Sequence, residues 1–200
     1  QSKEDSDIFN RFQLNGVRFV QTWEGFVYHM TCRGSRFADG ATRNPDGEVF
    51  MKNRETDEWL TQNQKATREF IRKWGHFVKH DAFLKPIVPP KYDIGFVITN
   101  ANQQLIEALE PWCSSIYCDF NIASYIANEN TSFDLYKKFK PLDNVKQNEI
   151  LIQIDGSKLT QEDFGFIQQM SEIIQDSGEV TFHGEIGNLT IDIMQMNTYE

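Results

Sequence analysis

The sequence has no uninterrupted apolar run of membrane-spanning length and no signal peptide. This excludes helical membrane spans and makes a soluble, by default cytoplasmic, protein the expectation. Cysteine is scarce: Cys32, Cys113 and Cys118 are an odd number at spacings that match no zinc or redox motif. A disulfide framework is thereby excluded, and idle or buried thiols are expected. Cations are scarce in the second part of the chain. Residues 91–200 hold 6 lysines and arginines against 17 acidic residues, whereas residues 1–90 hold 14 against 12. The second part therefore repels phosphate and is no candidate for nucleic acid or an anionic membrane. The chain also lacks an initiating Met and a leading strand, and a fragment of a longer protein is expected.

Two hundred residues suffice for one or two domains with a real core. The proline-rich stretch 85–92, KPIVPPKY, has no periodicity and coincides with the change in charge, so it marks the expected boundary between residues 1–90 and 91–200. Before it, Ser2 and Asp5 resemble a capping box, Ile8, Phe9 and Phe12 follow at helical spacing, and Asn15-Gly16 stops the helix. Asp7 and Arg11, four residues apart, are set to pair along it. Val17–Thr22 reads as a strand, and 31–53 as a long turn-rich loop. A helix is expected from about Thr56 to Trp74 on the stripe Trp59, Asn63, Ala66, Phe70 and Trp74, with Gly75 ending it.

Beyond the boundary the pattern is that of a small α+β domain. Strands are expected at 94–99, 115–119 and 150–154, with a helix carrying Leu105, Ile106, Leu109 and Trp112 and helical pieces over 122–139. Thr160 and Asp163 cap a helix that closes at Gly178, and 180–183 with 189–194 form a hairpin. His76 and His80 lie four apart, but Gly75 precedes them and no Glu completes a zinc motif, so they are read as surface or packing residues. Sequons at Asn130 and Asn188 are chance matches in a chain without a secretion signal.

The densest chemistry lies between Ser2 and Phe37: Glu4, Asp5 and Asp7, then His29, Arg33 and Arg36. Carboxylates, an imidazole and guanidinium groups together suit the activation of a hydroxyl, a metal and phosphate. Glu4-Asp5, Asp7, Arg11 and Gly16, followed by Val27-Tyr28-His29 and by Phe70-Ile71-Arg72-Lys73-Trp74-Gly75, resemble the C-terminal half of a family 2 glycosyltransferase catalytic domain of the GT-A fold. The resemblance covers about residues 3–80; residues 91–200 match no family pattern.

The resemblance implies transfer of a sugar from a nucleotide-sugar to an acceptor hydroxyl, a saccharide or another alcohol. Asp5 stands where the family's general base lies, and Glu4 would position the acceptor or tune Asp5. His29 matches a position that ligates a divalent metal, Mg²⁺ or Mn²⁺, in some members, and Arg33 and Arg36 would add contacts to the donor diphosphate. The nucleotide-binding half of such an enzyme carries a strand-ending Asp-x-Asp, and none is found here. The chain alone is thus expected to bind donor poorly. Two other readings stay open. Residues 91–200 would serve as an acidic interaction or self-association module of a non-enzymatic protein, or Glu4, Asp5 and His29 would belong to a metal-dependent hydrolase.

Overall fold

The computed structural model describes residues 3–20, 22, 24–25 and 57–194, the side chain of Trp59 apart. The chain divides into two compact units, Gln1–Thr67 and Arg68–Glu200, so the proline-rich stretch lies within the second.

In the first unit, helix α1 spans Glu4–Leu14, with Glu4, Asp5 and Asp7 in its first turn and Arg11 in its last. That order of charges suits the helix dipole. Lys3, not Ser2, is the N-cap, and it makes no side-chain capping bond. Gly16, at φ +69°, turns the chain out of α1, as only a residue without Cβ does cheaply. Phe19 then meets Phe9 at 5.7 Å between ring centroids. Residues 17–20 and 22 form no strand: an alternating apolar pattern needs a partner for its backbone groups, and among the described residues these have no ladder. Helix α2, Asp57–Trp74, begins in this unit and ends in the second.

The second unit is built on one sheet. Its strands are β1 Ile94–Thr99, β2 Ser115–Tyr117, β3 Phe139–Lys140, β4 Ile150–Asp155, β5 Phe182–Ile186 and β6 Leu189–Ile193, in the order β3-β2-β1-β4-β6-β5. The pairs β1·β2, β1·β4 and β2·β3 are parallel, while β4·β6 and β5·β6 are antiparallel. The unit is therefore mixed α/β, not the segregated α+β arrangement expected. Periodicity finds strands without fixing their direction, and parallel pairing follows from the crossovers between them. These crossovers contain α3 Gln103–Leu109 with a 3₁₀ turn Glu110–Trp112, α4 Ala123–Glu129 with α5 Leu135–Lys138, and, after β4, α6 Gln161–Ser177.

Alternation places Ile94, Phe96, Ile98, Ile150, Ile152 and Ile154 on one face, where they join Ile106, Leu109, Ile167, Met170 and Ile174 in the core. Thr160 and Asp163 form the expected capping box at α6, and Gly178 closes the helix in the left-handed conformation. Asp163 does more than cap. Its carboxylate also accepts from the backbone N–H and side-chain amide of Asn188, both at 2.9 Å, tying α6 to the β5–β6 turn. Burial opposes that charge, but the Asn188 and Thr160 donors hold the carboxyl well below the usual range. Gly187 sits beside it at φ +58°, and a Cβ there would run into an Asp163 oxygen. Gly187→Ala is accordingly expected to destabilise the protein by about 1–3 kcal/mol. A denaturant midpoint equal to that of the parent would refute this role for the glycine.

Candidate functional site

The first turn of α1 brings Glu4, Asp5 and Asp7 together and treats them differently. Asp7 accepts a hydrogen bond from Arg11 Nε at 3.0 Å, the i, i+4 pair that the sequence implied. Glu4 and Asp5 are exposed, and among the described residues their carboxylates have no hydrogen-bond or ion-pair partner. Two adjacent acids are thus open to solvent in the first turn of α1. His29, Arg33 and Arg36 lie outside the described residues. Among the described residues no three His, Cys, Asp or Glu side chains gather as a metal centre, and the divalent ion of the resemblance finds no complete donor set there.

The other histidines behave as packing or surface groups. His76 is buried, and desolvation lowers its pKa despite its contact with the Phe77 carbonyl. His80 is exposed and bonds to the Asp81 carbonyl at 3.0 Å. His183 pairs with Asp192 on the exposed side of the sheet. Cys32 lies outside the described residues, and the two described cysteines are inert for a physical reason: Cys113 is buried, and desolvation pushes its thiol up to about 12, while burial also raises Cys118. Native protein should therefore leave both unmodified by iodoacetamide at neutral pH, and unfolded protein should alkylate both. Mass-spectrometric mapping checks this, and rapid native labelling of Cys113 would contradict it.

Sequence reasoning missed a buried ionic cluster in the second unit. Arg72 (3% exposed) meets Glu110 (0% exposed) through Nη2 at 2.6 Å and Nε at 2.9 Å, and Glu129 through Nη2 at 2.6 Å. Arg68 holds Glu129 at 2.7 Å and 2.9 Å, Lys138 holds Glu110 at 2.7 Å, and the Tyr125 hydroxyl donates to Glu110 at 2.8 Å. Desolvation opposes both glutamate charges, yet Lys138 and Arg72 on Glu110, and Arg68 and Arg72 on Glu129, depress their pKa values. With these oxygens engaged, the cluster fastens the end of α2 to α4 and the 3₁₀ turn. The available signals were Arg68 and Arg72 on one helical face and a glutamate set among Leu109, Pro111 and Trp112.

A third feature lies where the strand order reverses, at the carboxyl ends of β1 and β4, the usual ligand position in open α/β sheets. Asn100, at φ +53°, donates from Nδ2 to Asp155 at 2.8 Å, and the Ser157 N–H and hydroxyl donate to the same oxygen at 3.0 Å and 2.7 Å. These bonds, Asn100 first, hold Asp155 far below the usual carboxylate range. Gly156 permits the close passage, since a Cβ there would stand 2.6 Å from the Asn100 carbonyl. The strand end is stitched shut, and the open space lies beside it, over the sheet.

No family model matches the chain, and no curated protein or solved structure matches it either. The functional reading consequently rests on the residues themselves.

Proposed function

We propose that the chain is part of a glycosyltransferase in which Asp5 is the general base. The observation that carries the reading is the division of labour in α1: Asp7 is paired with Arg11, and Asp5 and Glu4 are exposed with no partner among the described residues. That is the assignment the resemblance implies. The Asp5 carboxylate takes the proton of the acceptor hydroxyl as its oxygen bonds to the anomeric carbon of a nucleotide-sugar. The bond from that carbon to the diphosphate breaks, and nucleoside diphosphate leaves. A carboxylate suits this step because it gathers the proton without adding positive charge beside an oxocarbenium-like centre. Glu4, beside it in the same turn, orients the acceptor.

His29 as a metal ligand, and Arg33 and Arg36 beside the diphosphate, belong to the proposal through the resemblance alone. Among the described residues the donor set for Mg²⁺ or Mn²⁺ is incomplete, and the proton step at Asp5 is formulated without it. The test is release of nucleoside diphosphate from UDP- and GDP-sugars by the intact protein that contains this chain, with hydroxyl acceptors present. Failure to turn over any donor would remove the reading.

A further inference from the structure

The two faces of the sheet in the second unit are not equivalent. One is buried in the core. On the other, the pairings Val97↔Gln153, Gln153↔Thr190 and Thr190↔Glu185 set four side chains in a single row across β1, β4, β6 and β5. Gln153 is exposed although β4 lies between β1 and β6. The pairs β4·β6 and β6·β5 are antiparallel, the arrangement that leaves one face of a sheet open, and the polar row extends from them onto the parallel pair β1·β4. Above it lies a cavity of about 370 Å³ whose rim includes Thr99, Lys158 and Asn188. That volume falls within the roughly 300–1,000 Å³ of small-molecule sites.

We infer that this cleft is a binding site for a neutral saccharide. Among the described residues, the Glu185 carboxylate and the Thr99 and Thr190 hydroxyls have no hydrogen-bond partner. Gln153 uses its amide N–H on Asp192 at 3.2 Å and keeps its carbonyl oxygen, while Asn188 uses its amide N–H on Asp163 at 2.9 Å and keeps its own. The free groups are thus rich in acceptors and include two hydroxyls that both donate and accept. A ring of hydroxyl groups satisfies that set, because each hydroxyl also does both.

Phosphate does not fit. Among the described residues Lys158 is the only cation of the lining, and it lies 3.5 Å from Asp155, while Glu185 adds a second negative charge. Val97 gives the row an apolar end suited to the C–H face of a pyranose. The inference goes beyond the transfer reading, and binding without transfer tests it separately.

The experiment is a ¹H–¹⁵N NMR titration of the chain with glucose, galactose, mannose and N-acetylglucosamine, with glucose 1-phosphate and spermidine in parallel. At least one neutral sugar should saturate in the millimolar range and shift the amides of residues 97, 153, 185 and 190. Glu185→Ala and Gln153→Ala, both at exposed positions, should each weaken it about tenfold while leaving a folded spectrum. Lys137→Ala, at an exposed position outside the lining, should change nothing. Absence of saturable binding by every sugar overturns the inference, as does preference for glucose 1-phosphate or spermidine, or binding that neither Glu185→Ala nor Gln153→Ala weakens.

Discussion

Glu110→Gln should lower the stability of the second unit by about 3–5 kcal/mol, the usual cost of removing one partner from a buried ion pair. The replacement keeps the volume and deletes the charge that faces Lys138 at 2.7 Å and Arg72 at 2.6 Å. Neither cation gains much water in exchange, since the Arg72 and Lys138 side chains are 1% and 12% exposed. Arg72 retains Glu129, so Lys138 is the group left most exposed to the loss. A fall in melting temperature of roughly 10–20 °C is expected.

The same cluster fixes the direction of pH dependence. The pKa values of Glu110, Glu129 and Asp163 are depressed in the folded state. Their stabilisation is present above the ordinary carboxylate range of about 4 and is lost as pH falls through the lower folded values. Parent protein should lose stability steeply on acidification below that range, and Glu110→Gln should lose less. An unchanged melting temperature in the variant, or an equally steep acid loss, would mean that the buried charges contribute nothing net.

Local signals in the sequence located most elements of the second unit. Alternating Ile150, Ile152 and Ile154 marked a strand, Thr160 with Asp163 marked a helix start, and Gly178 its end, because each acts within a few residues. The parallel order of β3, β2, β1 and β4 was not legible, since it depends on which distant strands meet. The burial of Arg72 was not legible for a related reason. Its neighbours on the helix are known from spacing, but Glu110 and Glu129, 38 and 57 residues away, are what make its burial tolerable. Asn188 read as a chance sequon, and the bond from its side chain to Asp163, 25 residues away, left no local signal. At the proposed site, the pairing of Asp7 with Arg11 was legible because it is a local i, i+4 relation. His29, Arg33 and Arg36 lie outside the described residues.

Asp5→Asn is expected to cut sugar transfer by about 10²–10⁴-fold, the contribution of a positioned general base. The amide keeps the shape and exposure of the side chain and removes its ability to accept the acceptor's proton. Asp7→Asn is the informative comparison. It weakens an i, i+4 pair whose arginine side chain is 60% exposed, an interaction worth only a few tenths of a kcal/mol. The two acids lie two residues apart in the same helical turn, so a general effect on α1 would strike both alike. The decisive measurement is kcat of the intact protein for release of nucleoside diphosphate, with parent, Asp5→Asn and Asp7→Asn at matched melting temperature. Asp5→Asn should lose at least about a hundredfold, and Asp7→Asn should stay close to the parent. Equal activity of parent and Asp5→Asn, or equal losses in both variants, would contradict this role for Asp5.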